Sequence, residues 1–171
     1  MFEINSGKIK GNTLPIFIED NPKLYYFLTG KEYLELIMTL ATGLDKDKVY
    51  KLVDNLDLTN ELDKSIIDYS LGMKHKLALI SAIILDYDLF LIDEPLTALD
   101  PETSRFMIDY FKHLSKTGKT LLISTHMMHV AYQLADEVFI LVNGKTKHLI
   151  NDFPTFTDFE NYIIKQMKVT L

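Results

Sequence analysis

A pair of neighbouring carboxylates at the end of an apolar run is the chemically most informative feature of this sequence. Four apolar residues, Leu89 to Ile92, lead directly into Asp93 and Glu94. Such a run indicates a buried strand whose acidic end emerges at the edge of a sheet. In nucleotide hydrolases this arrangement holds Mg²⁺ with the first carboxylate and activates a water with the second. Because successive side chains of a strand point to opposite faces, Asp93 and Glu94 cannot share one role.

Chemistry of this kind also needs a loop that cradles phosphates, with the pattern G-x-x-x-x-G-K-[ST]. The 171 residues contain no match to that pattern. Some Gly-Lys pairs come near it but lack its first glycine, among them Gly7-Lys8, Gly118-Lys119 and Gly144-Lys145. Each pair is better explained as a turn, in which glycine supplies a permissive backbone and lysine is solvated. The sequence therefore carries the carboxylates of a nucleotide site without a phosphate loop.

Composition limits the class of protein. A length of 171 residues indicates one domain, and 47% hydrophobic with 25% charged residues is ordinary for a globular protein. The absence of cysteine excludes disulfides, thiol chemistry and Cys-ligated metals. A net charge of −6 argues against a nucleic-acid partner. The longest apolar run, Leu77–Leu85, is about half a membrane span, and Met1–Ile4 shows no secretory signal pattern.

The spacing of apolar residues divides the sequence into a helical part and an alternating part. The pattern is helical from about Thr29 to Leu85, and Thr29 stands in capping-box spacing to Glu32. From Leu89 onwards, strands alternate with helices, which predicts a parallel α/β sheet with its working edge at the carboxyl ends of the strands. The predicted strands are Leu14–Glu19, Leu89–Ile92, Thr120–Ser124 and a hairpin of Val138–Val142 with Lys145–Leu149. Predicted helices also cover Lys46–Leu56, Pro101–Ser115 and Met128–Leu134.

Four sequence elements together resemble the nucleotide-binding domain of ABC transporters. In chain order they are Tyr69–Lys76, the strand ending in Asp93-Glu94, Leu96–Pro101 and Ser124–His126. They stand in the order and spacing of the family and cover roughly residues 14 to 150. The closest subtype is the bacterial exporter ATPase, whose signature often reads S-x-G-M and whose Q-loop position is often Glu, here Glu19.

The resemblance implies an α/β fold with an incomplete P-loop NTPase core. The sheet would be mainly parallel, and a helical signature subdomain would occupy about residues 23–85. Residues 1–171 would then form a single ATP-binding domain that is truncated or internally deleted before the Q-loop. The implied cofactors are ATP and Mg²⁺.

The signature residues stand where a helix is predicted to begin. Free backbone N–H groups at a helix N-terminus favour a phosphate, and the resemblance implies that Ser70, Leu71, Gly72 and Met73 contact ATP. Alternatively, Ser70 serves as a helix cap. Asp100 belongs by resemblance to the D-loop, which passes between the two domains of a dimer and contributes to the ATP site. It also suits the N-cap of the helix that follows it, and both roles can hold.

The remaining site residues follow from the resemblance. Asp93 and Glu19 would support Mg²⁺, Glu94 would polarise the attacking water, and His126 would contact the γ-phosphate. Asp93 and Glu94 could instead be two solvated acids at a strand end. Another reading takes His126 and His129 as metal ligands, although no third ligand is apparent.

The segment after Glu19 contains three consecutive aromatic residues, Tyr25–Phe27, preceded by Leu24. In the family this segment meets a coupling helix of the membrane subunit, and aromatic residues are favoured at interface cores. Packing between two lobes of the same domain explains these residues equally well.

The sequence departs from the family pattern ahead of Glu19. A complete domain would carry a base-stacking aromatic, the phosphate loop and its helix there. Here Phe2–Ile9 resembles the strand pair that leads into the phosphate loop, whereas Asn12–Pro15 already resembles the approach to the Q-loop. Loss of the central strand and first helix should expose apolar faces of neighbouring strands, which is costly at roughly 25 cal/mol per Å².

We therefore expect an ATP-binding subunit of an ABC transporter that contributes its signature and D-loop to a composite ATP site. Its expected partners are a second ATP-binding subunit, in a homo- or heterodimer, and a transmembrane permease. It would be cytoplasmic, on the inner face of the cell membrane, and would bind no nucleic acid. The isolated chain is expected to be inactive. The alternatives are a non-functional truncated fragment and a soluble ABC-type ATPase without a role in transport.

Overall fold

Parallel strands alternate with helices through the larger part of the protein, as the sequence predicts. The computed structural model describes residues 15–41 and 43–168. The strands are β1 (Pro15–Ile18), β2 (Leu89–Asp93), β3 (Thr120–Ser124), β4 (Glu137–Val142) and β5 (Lys145–Ile150). The helices are α1 (Gly30–Leu40), α2 (Lys46–Asn55), α3 (Leu71–Ile84), α4 (Pro101–Lys116), α5 (Met128–Leu134) and α6 (Phe156–Lys168). Two short 3₁₀ helices, Thr59–Glu61 and Ile66–Asp68, lie between α2 and α3. The predicted strand pair in Phe2–Ile9 lies outside the described residues.

Strand order brings the ends of three segments to one edge. β2 lies between β1 and β3, and both pairings are parallel. The register sets Ile18 beside Ile92, and Asp93 beside Ser124. Glu19 directly follows Ile18, so it lies at the same carboxyl edge as Asp93. This edge is the working edge that the sequence predicts for a parallel sheet.

Local capping fixes where several helices begin. The Thr29 hydroxyl accepts from the Glu32 N–H at 3.2 Å, and the Glu32 carboxylate accepts from the Thr29 N–H at 2.8 Å, which completes the predicted capping box. Helix α6 was not predicted from the sequence. Thr155 precedes Asp158 by three residues, a spacing typical of a helix cap, and the Thr155 hydroxyl accepts from the Asp158 N–H at 3.2 Å where α6 begins.

Two hydrophobic clusters form the interior. In the larger cluster, α3 and α4 contact the three-stranded sheet and α1 and α2 pack on α3. Its fully buried members include Leu77, Ile80 and Phe90. The smaller cluster joins β4 to α6 through Ile140, Phe159 and Ile163. The β4–β5 hairpin is antiparallel and forms a sheet of its own. Within the described residues, no helix has the length and apolar character needed to cross a membrane.

The other face of the three-stranded sheet is open to solvent. Phe17, Leu91 and Leu122 are partners in one cross-strand row. Phe17 is 58% exposed and Leu122 is 57% exposed, whereas Phe90 and Ile92, whose side chains point to the opposite face, are each 2% exposed. Parallel sheets ordinarily have both faces covered. The expectation from the sequence, that a missing strand and helix leave apolar strand faces exposed, stays a prediction.

Two phenylalanines on adjacent strands test this asymmetry. Phe90→Ala should lower the free energy of unfolding by about 3–5 kcal/mol, because it leaves a cavity in the core. Phe17→Ala should change it by about 0.5 kcal/mol or less, because the side chain is largely solvated already. Urea unfolding of both variants measures the difference. Similar losses for the two substitutions would show that the Phe17 face is covered in solution.

Candidate functional site

The predicted metal-binding acids lie at the ends of adjacent strands. Asp93 ends β2 beside Ser124, and the Ser124 hydroxyl donates a hydrogen bond to the Asp93 carboxylate. Glu19 follows β1 at the same edge, and its carboxylate lies 3.4 Å from the Lys23 ammonium. The Glu19 side chain is 38% exposed. Both acids are therefore accessible from the carboxyl edge, and each already has one partner within the chain.

The backbone turns sharply directly after Asp93. Glu94 has a φ of 47°, in the left-handed region that residues with a side chain seldom adopt. Its N–H donates to the Ser124 carbonyl at 3.1 Å, which ties the turn to the end of β3. Conformations of this kind cost of order 1–3 kcal/mol and cluster at functional sites.

Three donors hold the Glu94 carboxylate. One oxygen accepts from the His126 N–H at 2.9 Å and lies 2.9 Å from Nδ1 of the same residue. The other oxygen accepts from the Thr97 hydroxyl at 3.0 Å. Burial raises the pKa of the Glu94 carboxyl, but the hydrogen bonds from His126 and Thr97 and the charge of His126 outweigh it and lower the pKa overall. Glu94 is therefore ionised at neutral pH, the state needed to attract a water proton.

His126 lies beyond β3 and joins this cluster. Its side chain is 71% exposed, so the ring reaches solvent on the side away from Glu94. The structure thus brings Glu94 and His126 into contact, with Asp93 directly before Glu94 at the end of β2. In the described part of the chain, no three His, Asp or Glu side chains group closely enough to hold a metal by themselves.

The signature residues form a second cluster, at the start of α3. Ser70 is the N-cap, because its hydroxyl accepts from the Met73 N–H at 3.2 Å. This confirms the capping role. The N–H groups of Leu71 and Gly72 precede the first intrahelical bond and so have no acceptor inside the helix. Ser70 is exposed and Leu71 is 49% exposed, so these donors lie at the surface.

Gly72 is required by the approach of another part of the same chain. A Cβ at this position would lie 2.5 Å from the backbone carbonyl oxygen of Ala98, in the loop after β2. No other residue type fits without a shift of that loop. The glycine therefore lets the predicted signature and the predicted D-loop pack directly together, a contact that the sequence does not reveal.

Asp100 caps α4 and also bonds to α3. Its carboxylate accepts from the Thr103 N–H at 2.8 Å and from the Thr103 hydroxyl at 2.6 Å. The Lys76 ammonium lies 3.3 Å from the same group. The hydrogen bonds from Thr103, reinforced by Lys76, hold the pKa of Asp100 well below its ordinary range. The predicted cap is confirmed, and Lys76 is a partner that the sequence analysis missed.

One short loop, residues 94–100, connects the two clusters. Its first residue lies in the carboxylate cluster and its last residue pairs with α3. Thr97, Ser124 and Lys76 all hold predicted site residues in place but were not singled out from the sequence. Thr97 and Ser124 stood inside the quoted motifs, so their position was a usable signal. Nothing in the sequence pairs Lys76 with Asp100.

The fold matches that of solved ABC-type ATP-binding domains. A solved ATP-binding subunit of an ABC transporter superposes with a TM-score of 0.73 at 26% identity, over 91% of this chain and 67% of the other. A dimeric ATP-binding cassette solved in a post-hydrolysis state with ADP and Pi gives a TM-score of 0.69 at 21% identity, over 81% and 63% of the two chains. The second likeness shows the fold alone.

Sequence comparisons give the family. Residues 42–130, more than half of the chain, match the family model described as "AAA domain, putative AbiEii toxin, Type IV TA system". An uncharacterized ABC transporter ATP-binding protein of Bacillus subtilis is 32% identical over 75% of this chain and 42% of its own length. A bacitracin transport ATP-binding protein of Enterococcus faecalis is 34% identical over 79% of this chain and 43% of its own length.

The chain belongs to this AAA-type domain family, and its relatives and structural neighbours are ABC transporter ATP-binding domains. The resemblance and the α/β fold class predicted from the sequence are thereby confirmed. The chain spans somewhat less than half the length of the two curated relatives described above.

A single methyl group tests the contact between the signature and the loop after β2. Gly72→Ala should lower the free energy of unfolding by about 1–3 kcal/mol, because the added Cβ overlaps the Ala98 carbonyl oxygen. Alanine is otherwise the better helix former, by roughly 1 kcal/mol. The control Leu71→Ala, at an exposed neighbouring position, should cost less. Chemical denaturation measures both, and a stabilised Gly72→Ala variant would contradict the contact.

The pKa of Asp100 predicts a pH dependence. Because the pKa is lower in the folded state, the carboxylate stabilises the protein above the ordinary value of 3.8, and this stabilisation is lost as pH falls through the folded-state value. Asp100→Asn keeps a capping group but loses the charge. It should cost about 1 kcal/mol near neutral pH, since the Asp100 side chain is half exposed, and progressively less below about pH 4.

Urea unfolding at neutral and acid pH gives the comparison. Asp109→Asn, at an exposed position of the same helix, is the control. Its free energy of unfolding should equal that of the wild type at neutral and at acid pH. A cost of Asp100→Asn that stays constant into acid would refute the assigned role of the charge.

Proposed function

We propose that the chain is an ATP-binding subunit of a membrane transporter and that it completes an ATP site held mainly by a second ATP-binding subunit. The observation that carries the proposal is the packing of the signature start against the loop after β2. Gly72 meets Ala98, and Lys76 pairs with Asp100. The start of α3 and the loop after β2, which would face the same nucleotide, therefore already form one surface within the chain.

The start of α3 is suited to a phosphate that arrives from outside the chain. The N–H groups of Leu71 and Gly72 have no acceptor inside the helix, and a helix N-terminus attracts anions. The Ser70 hydroxyl accepts from the Met73 N–H, so its own proton is available for a phosphate oxygen. An ATP held by the partner would thus receive three donors from Ser70, Leu71 and Gly72.

The carboxyl edge of the sheet has residues suited to Mg²⁺ and water. Asp93 and Glu19 fit Mg²⁺, which usually takes one or two carboxylates and completes its shell with phosphate and water. Glu94 would orient and polarise the water, and His126 would meet the terminal phosphate. The 171 residues contain no phosphate-loop motif. We therefore propose that this edge does not turn over ATP by itself and that the productive site is the composite one.

The aromatic residues after β1 are the proposed docking surface for a transmembrane permease. Phe27 is 81% exposed and Tyr25 is 53% exposed, whereas Leu24 is buried. These exposures support docking over packing between two lobes. A cavity of about 300 Å³ adjoins the surface between β1, α1 and α3, and Glu19 and Lys23 contribute to its wall. An inserted helix would contact apolar walls and this charged pair. Docking would hold the chain at the cytoplasmic face of the membrane.

A second candidate function is favoured by the open face of the sheet. Exposure of Phe17 and Leu122 is what a fragment that has lost its covering elements would show. In that case the chain would be an inactive product and would fail to unfold cooperatively. A cooperative transition in urea would reject this candidate.

The proposal predicts the outcome of a phosphate-release assay. The purified chain with Mg-ATP should release no phosphate above the buffer blank, and Glu94→Gln should be indistinguishable from it. We expect no hydrolysis because the sequence has no phosphate-loop motif to hold ATP, and Glu94 can activate a water only beside a bound γ-phosphate. Hydrolysis by the wild type that Glu94→Gln abolishes would overturn the proposal.

A further inference from the structure

Two consecutive residues near the start of α3 hold the segment that follows β1. The Lys74 ammonium lies 5.2 Å from the centroid of the Tyr26 ring, within the range of a cation–π contact. His75 is 3% exposed, and its Nε2 donates a hydrogen bond to the Asp20 carbonyl. Because a carbonyl can only accept, the Nε2 of His75 carries the proton. Residues 20–27 are therefore attached to α3 at both of their ends.

The next residue of α3 holds the loop that follows β2. Lys76 is 9% exposed and its ammonium lies 3.3 Å from the Asp100 carboxylate. A buried ammonium is costly without a partner. Loss of this ion pair would therefore cost more at Lys76 than at Asp100, whose side chain is 51% exposed and can be solvated by water. The close approach of Ala98 to Gly72 fixes the same loop against the preceding turn.

Helix geometry explains why neighbouring residues reach separate segments. Successive side chains are about 100° apart around an α-helix. The run Lys74–Lys76 therefore spans roughly half of the helix circumference. Lys74 and His75 contact residues 20–27 on one side, and Lys76 contacts Asp100 on the other. The first turns of α3 act as a rigid connector between residues 20–27 and residues 94–100.

We propose that Lys74, His75 and Lys76 are positioning residues that couple segment 20–27 to loop 94–100. Displacement of the aromatic residues in the first segment then alters the placement of Asp100 in the second. The purpose of this coupling rests on the proposed function, which assigns the two segments to the permease and to ATP. The coupling itself is a property of the isolated chain and is testable without either.

Amide hydrogen exchange of the full 171-residue chain tests the coupling from one side. His75→Leu should speed exchange of the Thr97 and Leu99 amides, which are bonded within loop 94–100, by about fivefold or more, a typical size for coupling between sites. His75→Gln keeps an N–H donor for Asp20 and should restore exchange close to the wild-type rate.

Ser81→Ala is the matched control. Ser81 is 6% exposed on the same helix, but its hydroxyl bonds to the Leu77 carbonyl inside α3. The Ser81→Ala variant should leave amide exchange in segment 20–27 and in loop 94–100 at the wild-type rate. If His75→Leu and Ser81→Ala accelerate exchange equally, or if the effect of His75→Leu ends at segment 20–27, the proposal is wrong.

Coupling is reciprocal, so the same experiment can be run from the other end. Lys76→Met removes the charge and keeps most of the side-chain volume, so it serves if His75→Leu does not fold. It should speed exchange of the Leu28 amide, which bonds to Tyr25 at the end of segment 20–27, by a similar factor. An unchanged Leu28 amide would overturn the proposal. Neither result depends on ATP or a permease, so failure here leaves the proposed function standing.

Discussion

The contact between the start of α3 and the loop after β2 determines how the chemistry of this chain is arranged. Gly72 admits the Ala98 carbonyl, and Lys76 pairs with Asp100, so the loop packs directly against α3. At its other end the same loop begins at Glu94, whose strained backbone is tied to β3 and whose carboxylate is held by His126 and Thr97. Loop 94–100 therefore fixes the position of Glu94, the acid that would act on water. It also fixes the position of Asp100, on the surface that would face a nucleotide held by a second subunit.

The open face of the three-stranded sheet is the second feature that shapes this domain. The row Phe17–Leu91–Leu122 lies two residues before the edge where Asp93 and Glu19 lie, and no phosphate-loop motif occurs in the sequence. The described strands form a three-stranded parallel sheet and a separate antiparallel hairpin. An exposed apolar face of this kind costs stability in water. The covered face packs into the cluster around Phe90, and the cluster around Phe159 is a separate one beside the hairpin.

Features that depend on residues close together in sequence were predictable. The capping box at Thr29, the cap at Asp100 and the strand that ends at Asp93 each follow from a few neighbouring side chains, and all are present. Contacts such as His75 with Asp20, or Lys76 with Asp100, join segments far apart in the chain and exist only once the sheet has set their distance. The requirement for glycine at position 72 was visible as part of a motif, but its cause, the Ala98 carbonyl, was not.

The most direct test of the central claim, that this chain completes a site without holding its own nucleotide, is a thermal melt with and without Mg-ATP. The account predicts a cooperative transition whose midpoint Mg-ATP leaves unchanged. A ligand at about a hundred times its dissociation constant would add about 2.7 kcal/mol and raise the midpoint by several degrees. Such a rise would show that the chain binds ATP by itself and would contradict the account.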